Sequence, residues 1–139
     1  MKNNYYLVCS SCLLLVPIIY FICNFNNNNF EILLAFLLLL NIILSIAFWR
    51  KAQYKSIIHK LDGILTKLSF VLFICYILFI KNNNIKYQRL ISLILIIIIV
   101  ILFYISDKFS KKSWCSIKHI IVHTIFHLFL MISSLWVFI

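Results

Sequence analysis

Apolar residues run along this chain in stretches of membrane-spanning length, broken by short polar clusters. The stretches are Tyr6 to Cys23, Phe30 to Trp49, Leu61 to Ile80, residues 88–105 and Ile117 to Ile139. A helix needs about 20 residues to cross a bilayer core, and in lipid it satisfies its own backbone groups. The pattern therefore predicts an all-α bundle of five transmembrane helices, forming one integral membrane domain over residues 1–139. The fourth stretch is the shortest, its unbroken apolar part starting only at Leu90, with room to extend toward Ile85. The third carries Asp62 and Lys67, so its uninterrupted apolar part begins at Leu68; Lys67 is near enough to the membrane edge for its ammonium to snorkel to the headgroups. A β-barrel is excluded, because runs such as Leu93 to Leu102 do not alternate.

Composition agrees with this reading. Of 139 residues, 65% are hydrophobic and 12% charged, where a soluble domain has about 25% charged residues to cover its surface. That excludes a soluble enzyme. The net charge of +10 would suggest nucleic acid in a soluble chain, but here the basic residues flank the spans, where they set topology and meet anionic headgroups. Membrane lipids are the expected partners, and no nucleic acid is.

The loops give the orientation. Lys2, the segment Arg50 to Lys60 and the segment Asp107 to Lys118 fall on one side with nine Lys and Arg; Lys81, Lys86 and Arg89 fall on the other. The positive-inside rule then puts the N-terminus in the cytoplasm. The first stretch reads as an uncleaved helix rather than a signal peptide, since it contains Pro17 and ends in Phe25-Asn26 without a small-residue cleavage site. The Asn-rich tracts at 24–29 and 82–84 contain no glycosylation acceptor. Cys9 and Cys12 have the spacing of a redox or metal pair, but no charged neighbour lowers a thiol pKa there.

Polar residues inside a span are costly, so those that persist face the bundle interior or a watery cavity. Asn41 and Ser45 share one helix face, as do Asp62, Thr66 and Ser69, and as do His119, His123 and His127. The expected topology puts all three stripes toward the cytoplasmic end. Two imidazoles at i, i+4 can hold one Zn²⁺, and a nearby carboxylate can orient or deprotonate water, which would suit hydrolysis at the membrane surface. The same stripes also suit plain packing, with hydroxyls bonded to their own i−4 carbonyls. His119, beside Lys118, reads as a headgroup contact, and His59 as a solvated loop residue.

Ser45-Ile-Ala-Phe-Trp49, followed by Lys55-Ser-Ile-Ile-His-Lys-Leu-Asp62-Gly-Ile, resembles the second and third helices of the hemolysin-III-like proteins. These belong, with the progestin and adipoQ receptors and the alkaline ceramidases, to a superfamily of membrane hydrolases. Its pattern is Ser-x-x-x-His, a short basic loop, then a Leu-Asp that opens the next helix. The closing His123-Thr-Ile-Phe-His127-Leu-Phe-Leu-Met-Ile-Ser-Ser-Leu is similar to its last helix. The likeness covers roughly half the chain. It implies zinc held by His123 and His127, Asp62 positioning the zinc-bound water, Ser45 supporting the site, and ceramidase-like cleavage of a lipid amide.

Two departures limit what carries over. Trp49 stands where the family has its third zinc-binding histidine, leaving His59 and His119 as weak candidates for that role. The family has seven helices and this chain has room for five, so two walls of its lipid cavity would be missing unless a homo-oligomer supplied them. The competing expectation is a non-catalytic membrane protein, keeping the scaffold for packing, partner binding or membrane remodelling. A transporter is disfavoured, because one glycine and one proline leave little means of unwinding a helix.

Overall fold

The computed structural model describes residues 4–25, 27–81 and 87–139. Lys2 and Lys86 of the topology count, Ile85, and part of the asparagine tracts lie outside the described residues. The elements are α1 (Asn4–Cys12), α2 (Leu15–Cys23), α3 (Asn29–Lys51), α4 (Ile57–Cys75) running on into a π-helical turn (Tyr76–Ile80), α5 (Gln88–Lys112) and α6 (Ile117–Phe138). Taking α1 with α2, and α4 with its π-turn, these form five segments long and apolar enough to cross a membrane. No strand occurs among the described residues. The chain is an all-α helical bundle of multi-pass membrane character.

The first crossing breaks because Pro17 has no N–H to offer the carbonyl of Leu13, and its ring crowds that carbonyl. Leu13 O instead accepts from Val16 N at 3.1 Å, and Leu13 N and Leu14 N bond back three residues to Ser10 and Ser11, so the chain tightens for one turn between α1 and α2. Capping fixes three further starts: Asn28, Ser56 and Ser116 accept from Phe30 N, His59 N and His119 N at the heads of α3, α4 and α6.

The fourth crossing is longer than its apolar run, and it lengthens at the other end from the one expected. Asp107 to Lys112 belongs to α5, not to a loop, stabilised by the Asp107–Lys111 pair at i, i+4 and 2.6 Å. Third-crossing residues from Ile57 to Lys60 are likewise helical, not loop.

The packing order differs from the chain order. The first crossing lies at the centre, with α1 and α2 against both α3 and α6; α4 packs on the outer side of α3, and α5 on the outer side of α6. The result is an open horseshoe in the order α4, α3, α1/α2, α6, α5. Its two ends, α4 and α5, are consecutive in sequence yet almost without contact, apart from where the π-turn meets α5. Leu14, Ile18, Leu34, Leu38, Tyr76 and Val137 form the larger buried cluster, and Leu7, Phe48, Trp49 and Ile120 a smaller one. Residues such as Ile57, Phe79 and Tyr104 point outward, as side chains solvated by lipid do.

Candidate functional site

Two of the polar stripes meet directly. Ser45 of α3 donates to Asp62 Oδ1 of α4 at 2.7 Å. One turn deeper, Asn41 Nδ2 donates to Ser69 Oγ at 2.6 Å and to its own i−4 carbonyl, Leu37 O, at 2.9 Å. Asn41 Oδ1 accepts from Thr66 at 3.1 Å. These bonds fix the register of α4 on α3 and hold Asp62 by one oxygen, leaving Oδ2 available.

The third stripe finds partners that spacing did not suggest. His127 Nδ1 lies 2.9 Å from Ser10 Oγ of α1, and His123 Nδ1 lies 3.0 Å from Ser106 Oγ of α5. Ser10 also lies 3.0 Å from Leu7 O; a hydroxyl that donates to that carbonyl can only accept from His127, which puts the ring proton on Nδ1 and leaves Nε2 as the basic atom. Each imidazole is thus oriented by a serine from a neighbouring helix. The rings of His123 and His127 sit 4.6 Å apart, edge to face.

His119 is not a headgroup contact: it is 2% exposed, between Trp49, Trp114 and His123, and its Nδ1 has no partner. Successive helical residues turn by about 100°, so Lys118 and His119 face different ways. His59 is not a solvated loop residue either. It sits in the first turn of α4, stacked on Phe48 at 4.6 Å, with Nδ1 accepting from Lys55 N at 3.1 Å. Both histidines therefore belong to an aromatic roof centred on Trp114. Trp114 donates to Ala52 O at 3.0 Å and so ties the α5–α6 loop to the α3–α4 loop. Three residues in these two loops, Ala52, Lys55 and Cys115, take positive φ without being glycine, a conformation that costs free energy and marks a constrained corner. Burial pushes the Cys115 thiol above its ordinary pKa, so it stays protonated and inert.

Beneath the roof lies a cavity of about 520 Å³. Asp62, Ser45, His119, His123 and His127 all line it, along with Asn41, Thr66 and Ser69. Farther from the roof its wall is mainly apolar, through Phe70, Phe73, Ile96 and Leu130, with Ser92, Ser133 and Ser134 between them. Its walls come mainly from α3, α4, α5 and α6, and α4 and α5 have few contacts with each other beside it.

The donor set fits zinc in kind and falls short in number. Two imidazoles on adjacent turns, each held through Nδ1, present the remaining nitrogens as metal-binding histidines do. Trp49 stands 5.1 Å from the His123 ring, 2% exposed, with Nε1 unpartnered. An indole offers no lone pair to a metal. His119 and His127 start about 12 Å apart along the helix, too far to join His123 on one ion. Among the described residues no three His, Cys, Asp or Glu side chains are placed to hold a metal together.

A second polar cluster closes the opposite end of the bundle. Tyr76 donates to Glu31 Oε1 at 2.6 Å, Asn28 Nδ2 donates to Tyr76 Oη at 2.9 Å, and Lys81 lies 3.8 Å from Glu31 while donating to Val137 O. Burial pulls the Lys81 ammonium below its ordinary pKa, and the Glu31 carboxylate pushes back. The sequence carried a signal for this cluster, a lone carboxylate in the first turn of an otherwise apolar span. Ser10 and Ser106, in contrast, look like any hydroxyl in a span.

Compared with known protein families, characterised proteins and solved structures, the chain matches none.

Proposed function

We propose that the protein is a membrane hydrolase that cleaves a lipid amide near the cytoplasmic face, as its resemblance to the ceramidase superfamily implies. The observation that supports this is the grouping of Asp62, Ser45, His123 and His127, from three helices, around one cavity bounded by α4 and α5, which barely touch each other. In this reading His123 and His127 would hold zinc, two of the three protein ligands usual at a catalytic site, and the ion would supply polarisation of the amide carbonyl. Asp62 accepts the proton of the attacking water through Oδ2, and Ser45 keeps the carboxylate aimed by occupying Oδ1. The Nδ1 bonds to Ser10 and Ser106 keep both rings in place.

Trp49 favours a second reading, in which the same cavity holds a lipid without turning it over. Metal analysis and amide hydrolysis on protein purified in detergent separate the two. Bound zinc that is lost in the His123→Ala, His127→Ala double variant, together with turnover abolished by Asp62→Asn, supports the hydrolase. Metal-free protein that binds a lipid amide and releases no fatty acid supports the second.

A further inference from the structure

The chain has three acidic residues, and each already has a partner. Glu31 pairs with Lys81, Asp107 with Lys111, and Asp62 takes the Ser45 hydroxyl. Three lysines line the cavity: Lys55, in the loop before α4, has its ammonium over the Tyr54 ring, and two on α4 are left over. Lys60 and Lys67, two turns apart on α4, both line the cavity, and neither belongs to an ion pair among the described residues. Lys67 lies about 15 Å along the axis from the start of α4. Both side chains are exposed yet line the cavity, so their ammoniums stand where a bound head group could reach them.

The geometry points to an anionic amphiphile as the occupant of the cavity: its acidic head, a carboxylate or phosphate, sits on Lys60 and Lys67, and its acyl chain lies along the apolar wall formed by Phe70, Phe73, Ile96 and Leu130. The positions support this in order. The two lysines are on α4, one of the two helices that border the cavity with few contacts between them, so a lipid entering there from the bilayer passes them. The wall beyond them is mainly apolar. By the positive-inside rule this end meets the cytoplasmic leaflet, where anionic lipids are concentrated. The inference deepens the proposed function by naming an acidic acyl amide as its substrate class, and as a binding statement it stands without the hydrolysis.

The test uses the full chain in phosphatidylcholine nanodiscs, reading the quenching of tryptophan fluorescence, since Trp49 and Trp114 line the cavity. The probes are dibrominated stearate, dibrominated lysophosphatidate and the neutral dibrominated monoacylglycerol. At least one anionic probe is expected to bind about tenfold or more tightly than the neutral one, as two lysines near an anionic head imply; which one responds tells carboxylate from phosphate. Lys60→Gln with Lys67→Gln brings the anionic probes down to the neutral level and leaves the neutral probe unchanged, while Lys60→Arg with Lys67→Arg keeps the preference. Equal binding of all three probes, or an unchanged preference in the glutamine variant, overturns the proposal and leaves the lysines as snorkelling side chains. The His123→Ala, His127→Ala variant keeps the preference whatever becomes of hydrolysis. A chain that prefers anionic probes but cleaves no amide thus sinks only the hydrolase reading, and one that cleaves neutral amides without any preference sinks only this one.

Discussion

The two ends of the bundle treat buried polarity differently. At the Glu31 end, a carboxylate, a phenol, an ammonium and a backbone carbonyl close on one another and form a clamp between α3, the π-turn and α6. At the Asp62 end, bonds hold the side chains in position without using them up: Asp62 keeps an oxygen, Trp49 and His119 keep buried nitrogens without partners, and Lys60 and Lys67 join no ion pair among the described residues. A bundle spending all its polar atoms on itself would be a scaffold. This one does not do so at either end: Trp136 Nε1, next to Val137 in the clamp, is also buried without a partner, but more such atoms are left at the Asp62 end, where they surround a cavity.

The largest test of that contrast is Glu31→Ala, which leaves Lys81 buried without its carboxylate. Breaking a buried pair from one side costs about 3–5 kcal/mol, to be read by denaturant titration in mixed micelles, whereas Glu31→Met with Lys81→Met should recover most of the loss. If Glu31→Ala costs no more than Asn41→Ala, the far end is not a clamp. Next comes Ser10→Ala. Removing an outer partner of a metal-binding histidine weakens affinity about tenfold to a hundredfold, so zinc binding should fall by that factor in a competition titration, with little change in folding. An unchanged affinity would mean that His127 is no ligand. Asn41→Ala removes two interhelical bonds worth about 0.6 kcal/mol each, and a loss of roughly 1 kcal/mol in the same denaturant titration is expected. Smallest is Gly63→Ala. A Cβ there meets nothing within 4 Å, so the helix should gain up to about 1 kcal/mol from propensity, read in the same denaturant titration.

Much of this architecture was legible before any coordinates. The five crossings follow from hydropathy, and the stripes of α3 and α4 were readable as faces because helical spacing puts Asn41 with Ser45 and Asp62 with Thr66 and Ser69. What spacing cannot say is which distant helix a face will meet. The serines that hold His123 and His127 come from α5 and α1, and nothing near them in sequence marks them out. His119 was misread from its neighbour Lys118, although a single residue turns the side chain to another face. The fourth crossing looked short because its last two turns are charged, but charged residues at i, i+4 continue a helix as well as apolar ones do. The zinc reading stays where the sequence left it, two ligands from one helix and an indole in the third place.

A site entered through its flank, as the proposed reading requires, draws from the bilayer and not from the aqueous phase. Its occupancy is set by the mole fraction of a lipid in one leaflet, so a rare amphiphile confined there can saturate it even when its free concentration in water is vanishing. On the proposed reading, apparent affinities for the amphiphile therefore belong on a scale of molecules per hundred lipids, and a value quoted in molar units will change with the amount of membrane in the tube.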